Sequence, residues 1–213
     1  MSKARIPTVA DAFLASARWT PAQIGRGFFA HCKNPTRAAI AHLVREERRG
    51  LYASRIVDSC PVPTVAEPLY FGPPNRQPDD YGHLSYVAEQ RRMVASIPQR
   101  IFWATSIFAG LYGTWAGHDE LVRPELVSHD LLLSDVWLRY LERDARTATE
   151  NWKSEQQLQW EHRNGVRLPS IPDALITKPH RTTAIEVLGR YPASWIAHHC
   201  KRFRKANWHI AIW

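Results

Sequence analysis

Apolar positions in the first fifty residues recur at helical spacing in three short runs, each opened by a residue that can cap a helix. Thr8 precedes Val9, Phe13 and Leu14, with Asp11 at the third helical position, where a carboxylate meets the positive end of the helix dipole. Thr20-Pro21-Ala22-Gln23 is a capping box with proline at the first helical position and predicts a second helix over 21–30. That helix carries Gly25 and Gly27, each costing about 1 kcal/mol against alanine, so Ile24, Phe28 and Phe29 must hold it by packing. Asn34-Pro35 opens a third helix and Gly50 closes it. Its predicted buried stripe is Ile40, Leu43 and Val44, with Arg37, Ala41, Arg45 and Arg48 on the opposite side. Leu51 to Val57 reads as a strand and Val65 to Phe71 as its hairpin partner.

Residues 72–83 (GPPNRQPDDYGH) are rich in turn formers and predict a boundary, with the linker itself at 76–83. Helical signals follow over 84–97 and again over 128–145, where Ser128 is a candidate cap and Leu131, Leu132, Val136, Leu138 and Leu141 are apolar. The last third changes period. Trp152 to Trp160, Ala174 to Thr177, Thr183 to Leu188 and Trp208 to Trp213 read as strands, with a helix beginning at Pro192. The last two strands and that helix are long enough for a βαβ unit.

Composition narrows the class. Of 213 residues, 45% are hydrophobic and 23% charged, which is globular and excludes a low-complexity chain. A mean hydropathy of −0.37 argues against a polytopic membrane protein. The uncharged run Ile101 to Gly117 is seventeen residues long and diluted by Gly, Thr and Ser, so it reads as a core segment rather than a membrane span; periodicity does not assign it to helix or strand. Cys32, Cys60 and Cys200 are odd in number and widely spaced, which points to a reducing cytoplasm. The N-terminus lacks the apolar run of a signal peptide.

Charge placement is more informative than charge size. Residues 1–55 hold ten Lys/Arg against three acids, so this quarter carries +7 of the formal +8. Such asymmetry points to a module for nucleic acid or another anionic surface. Helix, helix, turn, helix, hairpin is the order of a winged helix-turn-helix domain, whose third helix enters a major groove. The candidate DNA contacts are Arg26, Lys33, Thr36, Arg37, Ala41, Arg45, Arg48 and Arg49, with a second basic face at Lys201, Arg202, Arg204 and Lys205. In that second stretch Trp195, His199 and Phe203 share the inward side of the helix, and the histidines lack zinc-ligand spacing. The nine tryptophans are spread through strands and helices and read mostly as core.

Two acids mark the last third. Asp173 opens one apolar strand and Glu186 lies inside the next, thirteen residues on. If the strands are neighbours, the carboxylates converge on one sheet edge, the donor type that Mg²⁺ or Mn²⁺ takes when it activates water against a phosphodiester. Glu155 is a weaker third candidate. Pro172-Asp173 resembles the opening of the PD-(D/E)xK nuclease pattern, but the lysine expected two residues after Glu186 is Leu188. Arg190, or Lys201 on the following helix, is the candidate to reach the site in its place.

Together the two halves resemble the replication-relaxation family of plasmids and other mobile elements. The likeness rests on Thr20-Pro21-Ala22-Gln23 through Leu51, Ser128-His129-Asp130-Leu131, Trp152-Lys153-Ser154-Glu155, Pro172-Asp173-Ala174-Leu175-Ile176 and Ile185-Glu186-Val187-Leu188-Gly189-Arg190-Tyr191. It implies a winged helix at 1–75 and, at 84–213, a mixed-sheet α/β domain of PD-(D/E)xK-like architecture. It also implies a role in replication, relaxation, mobilisation (conjugation) or their regulation.

The expected function is binding of double-stranded DNA without catalysis and without a required cofactor, in the cytoplasm and off the membrane, with a homodimer or other replication and mobilisation proteins as further partners. One alternative is a Mg²⁺- or Mn²⁺-dependent nickase or endonuclease in which Asp173 and Glu186 bind metal and, with Glu155, form the catalytic set. A protein-interaction scaffold within a transfer or replication complex is the other.

Overall fold

The computed structural model describes residues 6–61, 65–91, 94–112 and 124–213. The fold is mixed α+β with two sheets. Among the described residues its α-helices are, in chain order, α1 (Val9–Ala15), α2 (Pro21–Phe28), α3 (Pro35–Arg48), α4 (Tyr81–Gln90), α5 (Ser106–Tyr112), α6 (Pro124–Arg143), α7 (Glu155–Arg163) and α8 (Ala193–Lys205), with a π-helical turn at Thr147–Asn151. The strands are β1 (Tyr52–Ser59), β2 (Tyr70–Gly72), β3 (Ile97–Ala104), β4 (Trp152–Ser154), β5 (Ala174–Lys178), β6 (Arg181–Glu186) and β7 (His209–Ile212). The chain forms two compact units, residues 1–62 with 95–150 and residues 63–94 with 151–213. The expected serial division, 1–75, linker 76–83 and 84–213, is thus corrected to an interleaved one.

In the first unit, α1 to α3 start where their caps dictate. Thr8 and Asp11 exchange bonds, as do Thr20 and Gln23, and Asn34 Oδ1 accepts from the Arg37 N–H at 3.0 Å. Gly25 permits the meeting of α2 with α3: a Cβ there would lie 2.8 Å from the Pro35 carbonyl carbon and 2.9 Å from the Thr36 nitrogen. α3 ends with Gly50 at φ +77°, its N–H donating to Glu47 O at 2.9 Å and the Leu51 N–H to Glu46 O at 3.0 Å, a Schellman stop.

The strand after α3 finds its partner elsewhere than expected. β1 pairs antiparallel with β3, Tyr52 opposite Ala104 and Ser59 opposite Ile97, while β2 belongs to the other unit. The Ile101–Gly117 run accordingly supplies the end of β3 and then α5; its residues 113–117 lie outside the described residues. α6 closes the core. Gln23 Nε2 donates to Leu131 O at 2.7 Å, Ser134 Oγ donates to Arg18 O at 2.6 Å, and Arg18 pairs with Asp130. Trp19, Trp137, Phe102, Phe108, Ile24 and Leu43 are fully buried. Ser128 is no cap, because α6 begins four residues earlier; its Oγ accepts from the Cys60 N–H.

The second unit is a five-stranded sheet in the order β2-β7-β6-β5-β4. β5 and β6 form an antiparallel hairpin, and β6 and β7 run parallel across the α8 connection, as the strand–helix–strand spacing predicts. Its core joins Leu158, Leu175, Ala184, Ile196, Phe203, Ile210 and Ile212. Two expectations are corrected here. The 84–97 helix is α4, capped at Asp80, and the 152–160 strand is three residues of β4 followed by α7, so Glu155 opens a helix rather than lying on a strand. Asp80 acts as cap inside the run expected to be a linker, and β2 pairs with β7, so 73–80 is a connection within this unit.

Candidate functional site

The outer face of α3 gathers exposed cations of the first unit. Ala39, Leu43 and Glu46 turn inward, while Thr36, Arg37, Ile40, Ala41, Arg45, Arg48 and Arg49 are exposed, as is Lys33 in the preceding turn. The expected buried stripe is corrected by one helical step: Ile40 is 39% exposed and Glu46 is buried. Apolar spacing could not signal this, because a charged residue occupies an inward position.

Two adjacent acids organise this face. Glu46 Oε1 accepts from Arg45 Nε at 3.0 Å and its Oε2 from Arg49 Nη1 at 3.0 Å. Arg45 Nη2 lies 3.0 Å from His42 Nδ1. Burial lowers the His42 pKa, opposed by Glu46 and aided by Arg45, which favours the neutral ring that can accept from the guanidinium at Nδ1. Glu47 ties the helix to the β1–β3 pair: Ser54 Oγ donates to its Oε1 at 2.6 Å and Arg100 Nη2 to its Oε2 at 2.8 Å. Sequence reasoning counted both acids only as charge against the cations. Arg26, expected among the DNA contacts, is instead half-buried and ion-paired with Asp135, with Glu142 at 3.8 Å.

In the second unit the three expected acids gather at one end of the sheet. Asp173 and Glu186 each lie one residue beyond the terminal Ala174–Ile185 pair, at the same end of the β5–β6 hairpin. Asp173 Oδ2 accepts from the Val187 N–H at 2.7 Å, and its carbonyl accepts from the Glu155 N–H at 3.0 Å. Glu186 is 7% exposed. Its charge adds to the burial that pushes the Cys200 thiol up to about 12, which places it beside α8. The side chain of Glu155 receives Gln159 Nε2 at 2.8 Å. Leu188, at the position of the pattern's lysine, is buried.

No known family, characterised protein or solved structure matches the chain. Its own geometry is what carries a functional reading. Among the described residues, no three His, Cys, Asp or Glu side chains converge as metal ligands. Asp173 and Glu186 offer two carboxylates with no ammonium group at the third position, a donor set that falls short of the nuclease pattern. Also among the described residues, no helix is long and apolar enough to cross a membrane.

α8 carries the second basic face. Lys201, Arg202 and Lys205 are exposed, with Arg202 Nη2 donating to Pro169 O at 2.8 Å; Arg204 is half-buried, its Nε on the Cys200 carbonyl at 3.4 Å. The other side of α8 is an aromatic ladder at four-residue spacing, Tyr191 on Trp195 at 4.0 Å and Trp195 on His199 at 3.7 Å between centroids. Burial lowers the His199 pKa, with Arg202 and His198 adding to it and Asp173 opposing. Trp195, His199 and Phe203 thus share the inward side expected of them.

Proposed function

We propose that this chain binds double-stranded DNA and serves a plasmid or other mobile element in replication, relaxation, mobilisation or their regulation, without catalysis. The observation that carries the reading is the solvent-facing side of α3, where Thr36, Arg37, Ala41, Arg45, Arg48 and Arg49 lie together on a helix pinned from behind by α2 and β1. The order α1, α2, α3 and the β1–β3 pair supports a winged helix-turn-helix, in which α3 lies in the major groove and the strands flank the backbone. The mobile-element setting rests on the likeness to the replication-relaxation family.

Phosphate contacts supply affinity and base contacts supply sequence preference. Arg37, exposed near the start of α3, is the residue we assign to a base edge. After selection of a preferred duplex from random sequence, Arg37→Ala is expected to weaken binding to it by about 1–3 kcal/mol and to narrow the gap to unrelated duplex. Anisotropy titration reads both. Equal affinity of wild type and variant for the selected site would remove Arg37 as a reader, and absence of duplex binding by the wild type would remove the function.

A second reading follows from the convergence of Asp173 and Glu186 on one sheet end. The β5–β6 hairpin, α8 and parallel β7 are compatible with a PD-(D/E)xK-like core, and a Mg²⁺- or Mn²⁺-dependent nickase is the corresponding activity. Supercoiled plasmid incubated with protein and either metal separates the readings. The binder leaves it supercoiled. Nicking abolished by both Asp173→Ala and Glu186→Ala assigns the nickase.

A further inference from the structure

Glu46 stands where an apolar side chain would complete the inward stripe of α3 with Ala39 and Leu43. A carboxylate in that position is costly unless paired, and both of its oxygens are taken, one by Arg45 and one by Arg49. The acid's side chain is 9% exposed while the two arginines are 66% and 68% exposed. A buried anchor therefore gathers onto one carboxylate two solvent-facing guanidiniums from residues four apart, whose backbone positions are separated by about 6 Å along the helix axis. Each guanidinium has five N–H donors. Arg45 directs two at Glu46 and His42 and Arg49 one at Glu46, which leaves outward donors on both.

We infer that Glu46 is a positioning residue that presents Arg45 and Arg49 as a paired clamp for two adjacent phosphates of one DNA strand, leaving the first half of α3, around Arg37, for base edges. The inference rests on the DNA-binding reading. Fixing both guanidiniums beforehand removes rotamer freedom that DNA would otherwise have to quench, and a planar fork meets phosphate in a way that an ammonium does not.

The test turns on sign. Glu46→Gln removes a negative charge next to a polyanion, so electrostatics alone predicts tighter binding; the clamp predicts binding weaker by roughly 3- to 10-fold. The variant's folding is checked by circular dichroism and thermal melting. A second variant, Arg45→Lys with Arg49→Lys, keeps the charge and the fold but not the fork, and is expected to weaken binding by a similar factor while the preference for the selected site over unrelated duplex persists. Arg45→Ala with Arg49→Ala is expected to make the slope of log affinity against log salt shallower by about 2. Wild-type-like or tighter binding by folded Glu46→Gln, or wild-type affinity of the lysine pair, overturns the clamp and leaves DNA binding standing. A wild-type chain that does not bind duplex overturns both.

Discussion

Replacing Trp19 by alanine is expected to lower the stability of the first unit by about 3–5 kcal/mol, the range for emptying a fully buried large aromatic site. Trp19 has no exposed surface, and its ring meets Trp137 edge-on at 5.6 Å. Its Nε1–H donates to Ala12 O at 3.0 Å and Ser16 O at 3.2 Å. Its backbone exchanges two hydrogen bonds with Phe102, at 3.0 and 2.9 Å, so the residue joins the α1–α2 connection to β3. The alanine leaves a cavity, and the indole's hydrogen bonds to two carbonyls are lost, although Ala12 O keeps the Ser16 N–H at 3.1 Å. Guanidinium unfolding reads the effect. Trp19→Phe keeps the ring packing and is expected to recover most of the loss, and Trp160→Ala, at a 49% exposed position, is the control of small effect. A Trp19→Ala change below about 1 kcal/mol would show that the unit tolerates collapse around this site. Since α2 and the β1–β3 pair support α3, duplex affinity should fall with stability near the unfolding midpoint and recover well below it.

Raising salt from 50 to 200 mM is expected to weaken duplex binding by about 150- to 500-fold, corresponding to four or five phosphates neutralised at 0.9 counterions each. The count comes from the exposed cations on and before α3: Lys33, Arg37, Arg45, Arg48 and Arg49. Five phosphate contacts give the upper figure; the lower applies if Arg37 is spent on a base. Arg26 is left out because its side chain is only 34% exposed and is turned to the buried Asp135, whereas Arg45 and Arg49 keep outward donors beside Glu46. Lys201, Arg202 and Lys205 are exposed on the second unit. Changing all three to alanine tells whether that unit also touches phosphate, as a slope shallower by up to about 3. A log–log plot without slope would remove phosphate contact as the source of affinity, and with it the functional reading of α3.

Much of the local structure was legible in the residue order. The Thr8, Thr20 and Asn34 caps and the Gly50 stop lie where the helices begin and end, because each depends on groups within five residues. The α3 face was nearly legible: its exposed cations were expected in place, but the stripe was misphased at Ile40. An inward Glu46 looks polar until its two arginine partners are known. In the acidic site, the flanking apolar runs mark Asp173 and Glu186 as strand-end residues. Their placement at the same end of the hairpin follows only from the β5–β6 register, and the helical setting of Glu155 was hidden because three strand residues run directly into α7.

Residue order by itself settled the three helix starts and the Gly50 stop in the first fifty residues, the concentration of cations there and the β6–α8–β7 crossover, all properties of short range or of composition. Tertiary structure alone decided that β1 pairs with residues 97–104 rather than the nearer 65–71, that the units interleave, and that Arg26 is spent on Asp135 while Arg45 and Arg49 share a buried acid. Strand pairing and ion pairing choose among partners far apart in the chain. That choice depends on which arrangement buries the most apolar surface while leaving no buried charge unmatched, a quantity no local window contains.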